Sequence, residues 1–156
     1  MFGHCVWYTL NYNHHLNKLI RHLASKLNTD LFKGHVTLHS KHNVTTAEHL
    51  YKIQCCITKP WFKSKGSVYQ TKTISKTKNE FYALQQDYRM YGIGRLDDYH
   101  VSLAYRINRP FTKEEIEYAN SMIPVDTIWS CDFYVSLNDC RTILPKHWNQ
   151  LKRHIF

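Results

Sequence analysis

The chain has 156 residues, 43% hydrophobic and 14% aromatic, which excludes a disordered protein and fits one domain over residues 1–156 with a single core. Its formal net charge is +9 with eleven histidines counted as neutral, which favours an anionic partner such as a nucleotide or RNA. No apolar run approaches the roughly 20 residues that cross a bilayer, and the first residues lack the features of a signal peptide. The five cysteines are scattered and odd in number, so we expect a cytoplasmic protein with no membrane and no obligate protein partner.

The first half of the chain predicts strands and helices in alternation. It opens with a segment rich in β-branched and aromatic residues, which favours a strand. Leucine and isoleucine then recur at helical spacing, which predicts an amphipathic helix. A second strand begins after Gly34, and a second helix follows with Thr45 or Thr46 as its N-cap. The four segments are residues 4–10, 13–29, 34–38 and 45–57.

The second half predicts a hairpin, a further strand, a helix and two closing strands. Thr112 and Glu115 stand three residues apart and form a capping box for that helix. Residues 91–98 contain two glycines and predict a loop before the further strand. The order of elements predicts an α+β fold, with helices packed against antiparallel sheet. The strands are residues 66–75, 80–87, 100–107, 127–137 and 147–156, and the helix is residues 111–123.

One short pattern occurs twice, as His-Val-Thr-Leu at residues 35–38 and His-Val-Ser-Leu at residues 100–103. Of the eleven histidines, only these two have a serine or threonine two positions later. Residues two apart on a strand share one face. The sequence therefore predicts two imidazoles and two hydroxyls around one small cavity, near a pseudo-two-fold axis that relates two lobes.

This set of side chains suits the chemistry of a phosphodiester. Imidazole titrates near neutrality, so one histidine can accept a proton from the attacking water while the other protonates the departing oxygen. Threonine and serine hydroxyls can donate to the non-bridging phosphate oxygens. Neither a metal nor a cofactor is required, and we expect none.

Two other kinds of site use different residues. His35, His39 and His42 lie close in sequence, and His39 shares strand parity with His35, but no second pair with the tight spacing of a zinc site accompanies them. Cys55 and Cys56 fall in the second predicted helix, where buried and inert thiols are commoner than reactive ones. We therefore favour the paired histidine motifs over a metal site or a nucleophilic cysteine.

The paired motifs resemble those of the 2H phosphoesterase superfamily, and the chain is most similar to small cyclic phosphodiesterases of plants and yeast and to LigT-like enzymes of viruses and phages. The likeness extends to "CVWY" on the first strand, to "HVSLAY" at the second motif and to the helix "FTKEEIEYA". It implies a bilobal fold in which two antiparallel sheets face a central cleft, with helices outside. It also implies hydrolysis of a nucleotide cyclic phosphate or a short oligonucleotide, without metal.

The resemblance also implies roles for particular residues. The four motif residues correspond to the catalytic set, and Trp7 and Tyr105 correspond to positions that contact the base or line its pocket. Trp7 has an alternative role as a core residue. Strict alternation would turn Tyr105 away from the cleft unless the strand ends or bulges before it. The implied catalytic residues are His35, Thr37, His100 and Ser102.

The chain departs from this family in two places, which leaves its substrate open. Gly34 and Tyr99 stand where a proline usually precedes each histidine, and a helix that usually precedes the second motif is missing. Some viral and phage relatives degrade cyclic dinucleotide or 2′-5′ oligoadenylate signals, and such an enzyme would act in the host cytoplasm. A non-catalytic RNA-binding module is a further alternative, because residues 59–78 are rich in lysine.

Overall fold

The computed structural model describes residues 2–92, 96–123, 128–130 and 132–156, with the backbone alone at 96–98. Strands and helices alternate at first, and strands then predominate, as in an α+β fold. The described strands are β1 (His4–Leu10), β2 (His35–His42), β3 (Trp61–Ser64), β4 (Tyr69–Ile74), β5 (Glu80–Tyr91), β6 (Leu96–Ile107), β7 (Ile128–Trp129), β8 (Phe133–Asp139) and β9 (Asn149–His154). The described α-helices are α1 (His15–Leu27), α2 (Val44–Gln54) and α3 (Lys113–Ser121).

All of the described strands belong to one curled antiparallel sheet, in the order β7-β3-β5-β6-β2-β1-β8-β9, with β4 paired to β5. We had expected two separate sheets facing each other across a cleft. The described strands form a continuous sheet instead because β2 and β6 pair directly, at Val36 and Val101. Each of these valines is the middle residue of one histidine motif, so the two motifs lie side by side at the centre of the sheet.

Helix α1 covers one face of this sheet with the apolar stripe predicted from its sequence. Leu16, Leu19, Ile20, Leu23 and Leu27 are all buried in the main core. The next residue, Asn28, has φ of 53°, the left-handed conformation that commonly ends a helix. The spacing of the leucines therefore determines which side of the sheet belongs to the core and leaves the opposite face for the site.

An ion pair ties α1 to α3 through strand β6. The guanidinium of Arg106 donates to both carboxylate oxygens of Glu115 at 2.7 and 2.8 Å and to the carbonyl of Leu27 at 2.9 Å. This pairing holds the pKa of Glu115 at about 2. The predicted capping box is also present, because Thr112 and Glu115 each accept a hydrogen bond from the other's backbone.

Several predicted boundaries were wrong. Asn43, rather than Thr45 or Thr46, caps α2, with its side chain accepting from the Thr46 amide at 2.8 Å. Strand β3 was missed because its lysine and serine hide its apolar pattern. In the segment 91–98, residue 91 belongs to β5 and residues 96–98 to β6, so four of its five described residues are strand; residues 93–95 lie outside the description. The predicted strand 127–137 is divided between β7 and β8, with residues 127 and 131 not described.

No helix in the described part of the chain combines the length and the apolar character that a membrane crossing needs.

Candidate active site

The two histidine motifs occupy equivalent places in the sheet. The motif strands β2 and β6 pair with each other at the centre of the sheet. On their other sides, β2 pairs with β1 and β6 pairs with β5. Around the pair Val36–Val101, antiparallel register sets His35 beside Ser102 and Thr37 beside His100. Each imidazole is thus brought next to the hydroxyl of the other motif, as the repeated pattern had suggested.

Both motif strands also bulge at the leucine that follows the hydroxyl residue. On β2, the register with β1 steps from Thr37, opposite Trp7, to His39, opposite Val6, and skips Leu38. On β6, the register with β5 steps from Ser102, opposite Gln85, to Ala104, opposite Leu84. A bulge inserts one residue and so reverses the alternation of faces beyond it. The repeated leucine is therefore part of the geometry of each motif as well as of the core.

These bulges determine which face of the sheet carries Tyr105 and which carries His39. Beyond Leu103, the reversal turns Tyr105 to the same face as Ser102, and its ring lines the cavity with the motif residues. Beyond Leu38, the same reversal puts His39 on the face of Val6, away from Trp7. The prediction that His39 shares the face of His35 was therefore wrong.

All six residues singled out from the sequence line one cavity of about 210 Å³. Its wall continues through Gln85 and Thr71 on the β4–β5 hairpin and through Trp148 just before β9. The structure thus brings together side chains from β1, β2 and β6 that are separated by up to 98 positions in sequence. The residues are Trp7, His35, Thr37, His100, Ser102 and Tyr105.

His35 is buried and held in one orientation. Its Nδ1 is 2.7 Å from the carbonyl oxygen of Lys33, and because a carbonyl only accepts, Nδ1 carries the proton and Nε2 is the unprotonated nitrogen. The ring stacks on Trp7 with centroids 3.5 Å apart and an angle of 9°. Burial, with a smaller contribution from the nearby His100, lowers the pKa of His35 to about 4, although the hydrogen bond to Lys33 acts in the opposite direction. His35 is therefore a neutral imidazole at pH 7.

His100 has a different neighbour. Its Cα partner on β5 is Asp87, whose carboxylate accepts a hydrogen bond from the Tyr69 hydroxyl at 2.6 Å. Burial lowers the pKa of His100, while the charge of Asp87 acts in the opposite direction. A carboxylate beside an imidazole favours the protonated ring. His100 is thus the better proton donor of the two histidines.

No protein-family model and no curated protein matches this chain. The inference of function consequently depends on the geometry and electrostatics of the cavity.

Ser102 and Tyr105 bring two hydroxyl groups from β6 to the cavity. Burial raises the pKa of Tyr105, and the side chain of Ser102 acts in the opposite direction. Tyr105 therefore stays protonated and can donate its own hydrogen to a bound group. On the other motif, Thr37 is opposite Trp7 and lies at the rim of the buried region.

The surroundings of Gly34 exclude a proline at the position before His35. Its amide donates to Asn17 Oδ1 at 2.8 Å, and a Cβ at this position would come within 2.7 Å of Ile20 Cδ1. A proline would lose the donor and collide with α1. Asn17 also donates to the carbonyls of Leu10 and Asn11, so it fixes the start of β2 against the end of β1.

The rival sites receive little support. Among the described residues, no three His, Cys, Asp or Glu side chains are grouped so that they could hold a metal ion. Burial raises the pKa of Cys55, which opposes formation of the thiolate nucleophile. Neither Cys55 nor Cys56 is among the described residues that line the cavity with His35 and His100.

Sequence reasoning missed three residues of this site, namely Asp87, Gln85 and Trp148. Gln85 and Asp87 lie two positions apart on β5 and so share a face, but the polar Gln86 between them hides the alternation in the sequence. Their partners, Ser102 and His100, depend on the register of a long-range pair, which the sequence does not show.

Proposed function

We propose that this protein is a phosphodiesterase that hydrolyses a nucleotide phosphodiester by acid–base catalysis between His35 and His100, without a metal. The observation that carries the proposal is the placement of two imidazoles and two hydroxyls around one cavity, related by the pair Val36–Val101. We also propose the 2H phosphoesterase fold, in its bilobal form, with the β1–β2 and β5–β6 halves of the sheet as the two lobes. The matching bulges at the two motif leucines support this.

The electrostatic difference between the histidines assigns their roles. His35 is neutral and presents an unprotonated Nε2, so it is the general base. His100 faces the carboxylate of Asp87, which favours its protonated form, so it is the general acid. An environment that separates the two pKa values is a common way to divide acid and base roles.

The reaction then proceeds in one displacement at phosphorus. His35 Nε2 removes a proton from water, and the water oxygen forms a bond to phosphorus. The bond from phosphorus to the departing ribose oxygen breaks, and His100 gives that oxygen a proton. Thr37, Ser102 and Tyr105 donate hydrogen bonds to the non-bridging oxygens as negative charge develops there. One proton is taken up and one is released, so the two histidines exchange protonation states.

The experiment that tests this is a hydrolysis panel followed by chromatography, in excess EDTA. The panel holds 2′,3′-cyclic mononucleotides, ADP-ribose cyclic phosphate, 2′-5′ oligoadenylate and cyclic dinucleotides. We expect turnover by the wild type, and a loss of about 10²–10⁴-fold in His35→Ala and in His100→Ala. His39→Ala is the matched control, since His39 lies on the same strand but faces away from Trp7.

Three results would contradict the proposal. Turnover that requires an added metal would exclude the metal-free mechanism. Turnover that survives in either alanine variant, with circular dichroism showing a folded protein, would remove that histidine from catalysis. Salt-dependent RNA binding without turnover of any compound, retained in both variants, would favour the non-catalytic RNA-binding module.

A further inference from the structure

A second, larger cavity adjoins the first. Its volume is about 810 Å³, against about 210 Å³ for the cavity that holds the histidines. Trp7 and Trp148 line both. The Trp148 indole is fixed by donation from Nε1 to the carbonyl of Thr142 at 3.0 Å, and its ring meets those of Trp7 and His35 edge-on. The two spaces are therefore neighbours, separated by a fixed aromatic wall.

The charge of the second cavity is positive. Arg21, Lys33, Lys146 and Arg153 line it, and no Asp or Glu is among the described residues that do so. These cations come from α1, from the segment before β2, from the segment before β9 and from β9 itself. Such a set, gathered from separate elements without carboxylate neighbours in the lining, suits a phosphate group.

The same cavity offers two tyrosine rings. Tyr12 is 73% exposed, with the Arg21 guanidinium 4.0 Å from its ring centroid. The hydroxyl of Tyr134 donates to Gln150 Oε1 at 2.8 Å, which fixes that ring, and the Arg153 guanidinium lies 6.0 Å from it. Of the two, Tyr134 is buried, so Tyr12 presents the exposed ring. An exposed aromatic ring beside a cation is an element that binds single-stranded nucleic acid, because a base stacks on the ring while a phosphate pairs with the charge.

The histidine cavity is too small for a whole nucleotide substrate, and the second cavity has room for the remainder. The histidine cavity is smaller than the roughly 300–1,000 Å³ that is typical of small-molecule sites, whereas the second cavity falls within that range. A phosphodiester at His35 fills the smaller space, and the rest of its substrate needs room beside it. The backbone of Lys33 joins the two, since its carbonyl orients His35 while its side chain lines the second cavity.

We infer that the second cavity binds a further nucleotide, so that the substrate is a short oligonucleotide of at least two units rather than a cyclic mononucleotide. This inference rests on the proposed phosphodiesterase activity. Arg153 and Lys146 would pair with the phosphate of the second unit, and the exposed ring of Tyr12 would stack on its base.

The test compares 2′,3′-cyclic AMP with two dinucleotides, adenylyl-adenosine 2′,3′-cyclic phosphate and cyclic di-AMP. We expect kcat/KM for at least one dinucleotide to exceed that for the mononucleotide by about tenfold or more, because stacking of one base contributes that much. The variant Lys146→Gln/Arg153→Gln should lose that advantage and keep its rate on the mononucleotide. Lys76→Gln/Arg109→Gln removes the same charge from exposed positions outside both cavities and should change neither rate.

A binding measurement separates this inference from the proposed activity. Calorimetric titration of each dinucleotide into His35→Ala protein needs no turnover. We expect the affinity for one of them to fall in the Lys146→Gln/Arg153→Gln background, with a shallower dependence on salt. Equal kcat/KM for all three compounds, or dinucleotide binding unaffected by that double variant, would overturn the second site alone. Absence of turnover of every compound by the wild type would overturn the proposed function instead.

Discussion

The two histidine motifs have the same local geometry and different surroundings. Each lies on a central strand, each bulges at its leucine, and the two meet at Val36 and Val101. The position opposite His35 is the neutral Thr9, whereas the position opposite His100 is Asp87. His35 also stacks on Trp7, while the equivalent position beside the second motif is Gln85. The difference shows that the motifs supply the geometry, and the outer strands β1 and β5 supply the electrostatics.

Among variants that distinguish the two histidine motifs, those at the hydroxyl residues Thr37 and Ser102 should differ most in kcat. Thr37→Val should lower kcat by about 10²–10³-fold, the usual loss when one donor to a developing negative charge is removed. Ser102→Ala should lower kcat by less, because the Tyr105 hydroxyl lines the same cavity and can donate in its place. Steady-state kinetics on the best substrate of the panel measures both.

Tyr105→Phe tests this explanation. Added to Ser102→Ala, it should bring the loss in kcat to the level of Thr37→Val, while Tyr105→Phe alone should have a small effect. Equal losses in Thr37→Val and Ser102→Ala would show that Tyr105 offers no substitute donor, and the two halves would then be equivalent at the phosphate.

The pH dependence of the unfolding free energy also distinguishes the two histidines. The pKa of His35 is lowered from 6.5 to about 4, so its contribution to stability is complete above pH 6.5 and is lost as the pH falls through about 4. This corresponds to ~3 kcal/mol of unfolding free energy. His35→Asn, whose amide can replace Nδ1 as donor to Lys33, should remove that dependence. Urea unfolding between pH 4 and 7 measures it.

The matched variant on the other motif is His100→Asn. It should change the pH dependence of the unfolding free energy less, because Asp87 opposes the effect of burial on the pKa of His100. A larger change for His100→Asn than for His35→Asn would reverse the assignment of the neutral base.

The smallest expected effect concerns Asp87. The rate should rise through pH 4 as His35 loses its proton, and fall through the pKa of His100, which lies below 6.5. Asp87→Asn should shift the falling limb to lower pH and so lower the rate at pH 7, because it removes the charge that favours protonated His100. Tyr69→Phe removes the hydroxyl that donates to Asp87 and keeps the charge. The limb should therefore stay in place in Tyr69→Phe, and a shift there would implicate the hydrogen bond instead.

The sequence predicted those parts of the fold whose signals are local. The apolar stripe of α1 and the capping box of α3 each act within a few turns of helix, and both are present. Strand β3 was missed, because a four-residue strand containing lysine and serine has too few positions for alternation to be recognised. The single sheet was missed because the pairing of β2 with β6 joins residues 65 positions apart.

The candidate site, like the fold, was predictable where its signals are local in sequence. The His-x-hydroxyl pattern identified four side chains that meet at one cavity, because a strand's period of two is a local property. The bulges, the Asp87–His100 register and the neighbouring cavity depend on which strands pair and where. Those choices are made by packing across the whole sheet, so a single sequence does not show them.

The stacking of Trp7 on His35 bears on the positive charge that His35 acquires during the proposed reaction. Burial keeps the imidazole neutral at rest, yet the general base must carry a positive charge while the water oxygen attacks. An indole face is the best aromatic surface for a cation, and such contacts contribute ~0.5–2 kcal/mol. With ring centroids 3.5 Å apart and the rings nearly parallel, Trp7 is positioned to stabilise the imidazolium by a cation–π interaction. Burial thus keeps His35 neutral at rest, while the Trp7 ring that contributes to this burial stabilises the protonated His35 formed during turnover.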